Sequence, residues 1–395
     1  MLTICIFTEN SLLLHSLIIN STSNSKIISP FLFVVLLLVS VCVWAEGADQ
    51  YLAKDESSIE YTFEHFSYAG PMAVMQLAND WNGDLKHGDD AVSFIQSEIS
   101  ARNKHFVLGF LTRYYHQFSI GNDLARGFYY YNNDISLDDE LRIDASLQAR
   151  VYSGAGLRFG YKFEFTPLSD ARLSLTPSLV ALRLDDIIWG QLDGELFYSN
   201  THNWGGTIDL DYGYTKDHVV RRPLKGEYLG QLYGLDLDLN WRSPWLTFDY
   251  QGINLYSRIY WDGLPQTTAQ VSTETAFFLF GYEYFDDVIL QAPALHYAQA
   301  NGPFPIAPNS KLHWLSSVRV TPVKSFYYHG LQYRSVVDLF DSLQVFKLGL
   351  QYDFSSSTSR LSLEHPNITA VLASQTLDLS KSQQLVAKFT FHYSF

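Results

Sequence analysis

Between Leu141 and Phe165 the chain reads LRIDASLQARVYSGAGLRFGYKFEF, and apolar residues fall on nearly every second position. Leu141, Ile143, Ala145, Leu147, Ala149 and Val151 alternate with Arg142, Asp144, Ser146, Gln148 and Arg150. Leu157, Phe159, Tyr161, Phe163 and Phe165 then alternate with Arg158, Gly160, Lys162 and Glu164. A period of two belongs to a strand whose two faces meet different surroundings. The intervening SGAG predicts a hairpin turn at 153–156.

The same two-faced text returns in GTIDLDYGYT, LGQLYGLDLDLNW, FLFGYEYF, KLHWLSSVRV and VFKLGLQYDF. Segments of roughly ten alternating residues separated by turns are the pattern of a transmembrane β-barrel, and counting them from Ile59 to Phe395 gives about 14 strands, within 12 to 16. A soluble sandwich or propeller shows alternation too. Against it stand aromatics at strand ends, Tyr114 and Tyr115, Trp241 and Trp245, Tyr260 and Trp261, Tyr327 and Tyr328, which fit two interfacial girdles. Long loops are expected near 69–90 and 286–310.

Composition agrees. Charged residues make up only 17% of the 395, aromatics reach 15%, and mean hydropathy is -0.05, so apolar residues are dispersed along the chain. One long apolar block exists, Ile27 to Ala45, whose core from Phe31 to Val43 has the length of a signal-peptide h-region. We therefore expect residues 1–45 to be a signal peptide cut after Ala45, with 1–25 reflecting a start assigned too far upstream, and 46–395 to be the barrel. Both cysteines, Cys5 and Cys42, precede that cut, so the mature chain offers no disulfide or thiolate site. Its net charge of -14 argues against nucleic acid as a partner.

The chain ends KFTFHYSF, with Phe389, Phe391, Tyr393 and Phe395 at alternate positions. A last strand of this kind resembles the signal that Gram-negative outer-membrane barrels present to their assembly machinery; the glycine often found earlier in that signal is replaced by Ala387 and Lys388. The resemblance implies an all-β fold, a closed antiparallel transmembrane β-barrel in the outer membrane of a Gram-negative bacterium. It also implies lipid and the barrel-assembly machinery as partners, and a homo-oligomer as one arrangement common in the class.

Local chemistry is sparse. Asp80, Asn82 and Asp84 have the opening rhythm of a calcium loop, yet Leu85 and Ala91 stand where Gly and Glu belong, so no metal is assigned. His392-Tyr393-Ser394 resembles the His-x-Ser of outer-membrane phospholipases and lipid A deacylases, but it lacks a downstream orienting acid and sits at the wrong membrane face. The acid pairs Asp89-Asp90, Asp185-Asp186 and Asp286-Asp287, with Asp217-His218, are similar to the rim acids of outer-membrane proteases without their spacing. No catalytic residue and no cofactor is expected.

The inward face carries the remaining signal. Asp193, Glu195, Asp209, Asp211, Asp236, Asp238, Asp249 and Glu283 fall on it with no Lys or Arg among them, while Arg142, Arg150, Arg158 and Lys162 precede them. An acidic wall facing mixed or basic walls suits a pore that selects with side-chain charge. The expected function is a channel for small polar or cationic solutes. The alternatives are a non-conducting barrel in envelope assembly or surface-polymer export, and a barrel hydrolase.

Overall fold

The computed structural model describes residues 57–395 apart from 79, 80, 82, 136–139, 199–203, 218–228, 274–276, 286, 287, 305–310, 340 and 341. The expected signal peptide, Asp80 and Asn82 of the calcium rhythm, His218, and Asp286-Asp287 lie outside the described residues.

Nineteen hydrogen-bonded segments form one sheet. In chain order they are β1 (Ser58–Ala69), β2 (Asp90–Arg102), β3 (Phe106–Ile120), β4 (Leu141–Tyr161), β5 (Phe163–Leu168), β6 (Ala171–Tyr198) and β7 (Trp204–Tyr214). There follow β8 (Gly230–Arg242), β9 (Thr247–Trp261), β10 (Leu264–Ser272), β11 (Phe277–Phe285), β12 (Val288–Leu290) and β13 (Leu295–Pro303). The last are β14 (Leu312–Val320), β15 (Ser325–Leu339), β16 (Ser342–Asp353), β17 (Thr358–His365), β18 (Ile368–Ser374) and β19 (Gln384–Ser394). Among the described residues two short α-helices, α1 (Val74–Ala78) and α2 (Asn122–Asn132), occupy the connections after β1 and β3.

Several segments are pieces of one stave. β4 and β5 both pair with β6, and β6 pairs on its other side with β8 along its first half and β7 along its second. β9 and β10 likewise continue one another, as do β11, β12 and β13. The result is a closed antiparallel barrel of 14 strands, sealed by β19 against β1 from Ser58↔Ser394 to Tyr68↔Gln384. Closure leaves no sheet edge, as a spanning sheet requires. Ser58 and Ser394 lie at the end with the short turns at 103–105, 169–170 and 243–246; the described parts of the connections 70–89 and 121–140 lie at the other end.

The register corrects two expectations. There is no turn at 153–156, because β4 runs unbroken through SGAG and the chain reverses at 169–170. Gly154 and Gly156 are there for close approach: a Cβ on either would collide with the backbone of Arg183 or Ala181 across the ladder. Asp185 on β6 is the extra residue of a bulge opposite Ser153 and Gly154. The stretch 286–310 is also not one long loop, since β12 and β13 run through it.

Parity then assigns the faces. Phe106, Leu108, Phe110, Leu157, Phe159, Leu179, Leu348, Leu350, Leu361 and Leu372 point outward and are exposed, an apolar band of the kind that meets lipid. Such a band is about 25 Å tall and takes roughly 9–11 tilted residues. The 28 residues of β6 exceed it, and with β4, β7, β10 and β11 they raise one wall above the rest. On that raised wall the outward apolar face has no lipid to meet. Ile143, Ala145, Leu147, Leu192 and Leu196 are covered instead by Leu124, Ala125 and Phe128 of α2 and by Trp81 from the 70–89 connection.

Replacing Phe110 or Leu348 by Arg is expected to lower the unfolding free energy by about 2–4 kcal/mol where the residue lies at mid-band. Ser146→Arg, on the solvated inner face of the raised wall, is expected to stay within about 0.5 kcal/mol. Denaturant titration of the barrel refolded into lipid vesicles measures both.

Candidate functional site: the barrel interior

Inward side chains sort by height into three layers. Near the end that carries Ser58 and Ser394, the lining is charged and partly open to solvent. Arg242 lies 2.6 Å from Asp249, Lys347 3.2 Å from Glu364, and Arg102 2.8 Å from Glu60.

Above this, two buried polar clusters reach between staves that are not neighbours. Arg113 on β3 is fully buried: one guanidinium nitrogen is 2.6 Å from Asp236 on β8, another donates to Asn254 Oδ1 at 2.7 Å, and Nε donates to Gln96 Oε1 at 2.9 Å. Arg158 pairs with Asp238 and lies 3.4 Å from Glu98. In the second cluster Arg319 pairs with Glu64 from far around the barrel and lies over the rings of Phe66 and Tyr297, at 4.8 and 5.3 Å. Arg360 donates to Ser317 Oγ at 2.8 Å and also lies over Tyr297. A buried ion needs a partner and further hydrogen bonds to offset its desolvation; Arg113 has both, Arg158 and Arg319 have carboxylate partners, and Arg360 is held by hydroxyl groups and aromatic rings.

Asn254 ties the first cluster to the backbone. It is completely buried with φ of 54°, a left-handed conformation that Asn tolerates better than most residues. Its N–H donates to Asp236 Oδ1 at 2.8 Å, and its amide donates to Tyr152 OH at 2.8 Å and to the Pro293 carbonyl at 3.2 Å. Around it the β8–β9 ladder slips, and β12 gives way to β13.

The third layer is apolar. Phe66, Phe94, Tyr115, Tyr152, Leu182, Leu184, Ile187, Leu232, Ile259, Trp261, Phe326 and Tyr328 form one buried cluster drawn from most of the wall. Phe66 of β1 meets Phe326 of β15 edge to face at 5.2 Å across the lumen, and Tyr115 stacks on Tyr152 at 5.6 Å. These contacts make an aromatic septum. Tyr115, Trp261 and Tyr328 therefore do not belong to an interfacial girdle; Tyr114, Tyr260, Tyr327 and Trp245 are the exposed ones.

Above the septum the inner face of the raised wall is acidic and solvated. Asp193, Asp209 and Asp211 line an open depression with Gln191, Thr268, Gln270 and Leu279. Glu195 lies 2.9 Å from Arg142, Glu283 stands across from Gln266, and Arg150 lies over Trp189 at 5.4 Å.

All twelve charged residues assigned inward from sequence lie on the inner face by register, but they do not make one acidic wall. Asp193, Glu195, Asp209, Asp211, Glu283, Arg142 and Arg150 belong to the raised wall. Asp236, Asp238, Asp249, Arg158 and Lys162 lie in the barrel, where the three aspartates are bonded to Arg113, Arg158 and Arg242; Lys162 pairs with Glu164. Arg242 was missed although its parity was legible, since it follows Asp236, Asp238 and Asn240 on the same face.

The other sequence candidates have structural partners. Asp185 accepts from Ser153 Oγ at 2.8 Å, Asp186 from Thr215 Oγ1 at 2.5 Å, and Asp217 from Tyr212 OH at 2.6 Å. His392 Nε2 is 2.9 Å from Ser394 Oγ, and an acid that sequence spacing could not supply, Glu60 of β1, is 3.7 Å from its Nδ1. That separation exceeds a hydrogen bond, and the Glu60 carboxylate is held by Arg102. Among the described residues no three His, Cys, Asp or Glu side chains converge as metal ligands.

No protein-family model and no curated protein matches the chain. Among solved structures it is similar to the CymD monoaromatic hydrocarbon channel, at 12% identity and a TM-score of 0.34, over 87% of this chain and 89% of that one. It is similar to the toluene transporter TodX of P. putida at 8% identity and 0.35, over 87% and 91%. It is also similar to the outer membrane protease OmpT of Escherichia coli at 7% identity and 0.22, over 88% and 100%. Transporters and a protease stand together at these low scores, so the likenesses do not choose among functions.

Removing one partner of a buried pair strands the other. Arg113→Leu is expected to cost about 3–5 kcal/mol, and Arg113→Leu/Asp236→Leu to recover much of it, because two apolar groups replace the pair without leaving a lone charge. Guanidinium unfolding of the three proteins measures the cycle. With its closed 14-strand ladder, outward apolar band and charged interior, the chain is an outer-membrane-type β-barrel protein.

Proposed function

We propose that the protein is an outer-membrane channel for small solutes, closed at rest by the aromatic septum. The observation that carries this is the layering of the interior: a charged, partly solvated lower lumen and a solvated acidic upper face, separated by a single apolar layer built from wall side chains. Hydrophobic constrictions gate aqueous pores by excluding water until they widen. The lower lumen supports a wet reading, because the buried Glu98 Oε1, Ser174 Oγ and Ser178 Oγ have no protein partner among the described residues. Unpaired polar atoms in such a place are completed by water.

The septum also lies where the wall is least regular. The bulge at Asp185, the break between β9 and β10 at 262–263, and that between β12 and β13 at 291–294 fall at its height on one side. Local opening starts where backbone pairing is sparse. The acidic raised wall favours cationic or amine-bearing solutes at the entrance, since its carboxylates outnumber Arg142 and Arg150.

The terminal strand supports recognition by the barrel-assembly machinery. Phe389, Phe391 and Tyr393 share the outward face of β19, opposite Phe63, Tyr61 and Ile59 of β1, with Phe395 at the end.

Planar-bilayer recording of the refolded chain from Glu46 tests the channel. The wild type should conduct little or in brief openings, while Phe326→Ala and Phe66→Ser/Phe326→Ser give larger and steadier current. Adding Asp209→Asn/Asp211→Asn to the open form should lower its cation preference. Silence from every variant, each shown to be folded by heat-modifiable gel mobility, would leave a structural barrel.

A further inference from the structure

The outward face of the barrel is almost free of charge, and its exceptions are clustered. Among the described strand residues below the raised wall, the outward positions are apolar, aromatic or uncharged polar except for Arg183 and Arg258 and the acid pair Asp185-Asp186 at the bulge. Register brings the two arginines together: Arg183 of β6 stands beside Gln231 of β8, which stands beside Tyr260 of β9. One row nearer the end with Ser58 and Ser394, Ala181, Tyr233 and Arg258 follow in the same strand order. Tyr256 and Leu179 lie in the next row, and Ile289 of β12 flanks Tyr260.

Every large side chain of this patch points away from the barrel and is exposed, including Tyr233, Tyr256, Tyr260, Leu179 and Ile289. The Arg258 guanidinium lies over the Tyr256 ring at 5.8 Å, and Tyr233 OH donates to Gln231 Oε1 at 2.7 Å. Neither arginine has a carboxylate partner among the described residues. The acids at this level, Asp185 and Asp186, lie in the bulge beyond Arg183 and accept from Ser153 and Thr215.

The patch forms the upper edge of the lipid-facing band, on the side of the raised wall and the long connections, which in a barrel of this type faces outside the cell. Tyrosines settle where hydrocarbon gives way to headgroups, and an arginine at that level extends its head toward the polar side. A guanidinium there matches phosphate oxygens in a planar two-pronged geometry that an ammonium lacks. Arg183 and Arg258 stand two strand spacings and one row apart, about 12 Å between their backbones, so they can meet two phosphates of one large headgroup rather than share one.

We propose that Arg183 and Arg258, flanked by Tyr233, Tyr256 and Tyr260, form a binding site for a doubly phosphorylated glycolipid of the outer leaflet. The site rests on the outer-membrane reading but is independent of whether the lumen conducts. Its test uses the refolded chain from Glu46 in detergent micelles, titrated with bis-phosphorylated lipid A, with the same lipid after phosphate removal, and with phosphatidylglycerol. Bound lipid is counted by native mass spectrometry. The wild type should bind the bis-phosphorylated lipid about tenfold or more tightly than the dephosphorylated one, and Arg183→Gln/Arg258→Gln should erase that difference. The substitutions remove the exposed contact of Arg258 with Tyr256 and touch nothing inside the barrel, so folding, checked by heat-modifiable mobility, should persist. Equal binding by wild type and double variant, or no preference for phosphate, overturns the site. Phosphatidylglycerol binding as tightly as lipid A overturns the glycolipid assignment, and a chain lacking heat-modifiable mobility fails the outer-membrane reading instead.

Discussion

Everything in this molecule follows from the requirement that a sheet in lipid leave no backbone donor or acceptor unpaired. Hydrocarbon offers nothing to a free N–H, so the sheet closes, and β19 meets β1 along their full lengths. Closure divides the side chains by strict alternation into two sets. The outward set has to be apolar where lipid lies. The inward set faces a lumen whose width is fixed by strand number and shear, which leaves it to be filled, bridged or wetted. Here all three occur at different heights, and the order of those heights is the functional argument.

The raised wall shows that parity does not fix environment. One face of β4 carries Leu157 and Phe159 at lipid level and Ile143 and Ala145 above it, and the second pair needs α2 and Trp81 as cover. The opposite face carries Arg158, buried between Glu98 and Asp238, then Tyr152 in the septum, then Arg142 and Asp144 in solvent. A single strand thus passes through two surroundings on its outer side and three on its inner side without changing its alternation. The bulge at Asp185 keeps β6 in step with it.

That separation explains what was legible in the sequence. The period of two, the turn spacing and the terminal aromatics gave the barrel, its strand number and the inner face of every charged candidate, because those depend only on residue order. Distances across the lumen depend on closure, which no local pattern encodes. Glu64 and Arg319 are 255 residues apart in sequence, and nothing near either announces the other. The same limit hid Glu60 behind His392 and sent Tyr115, Trp261 and Tyr328 to a girdle, since an aromatic near a strand end reads alike whether it faces lipid or septum. SGAG misled for a different reason: glycine marks close backbone approach as readily as a turn.

The two buried polar clusters also bear on why the septum lies above them. A lumen packed with hydrocarbon alone would be stable without ion pairs, and such pairs add little net stability over apolar packing. What Arg113, Asp236 and Asn254 do is fix a backbone irregularity: the left-handed Asn254, the slip in β8–β9 and the carbonyl of Pro293 are held by the same few hydrogen bonds. Partially satisfied groups nearby, such as Glu98 and Ser178, keep that floor polar. The apolar layer therefore rests on a polar and conformationally specified base, and its own contacts are nondirectional. Of the two, the septum is the layer that can part and re-form without leaving a charge unpaired.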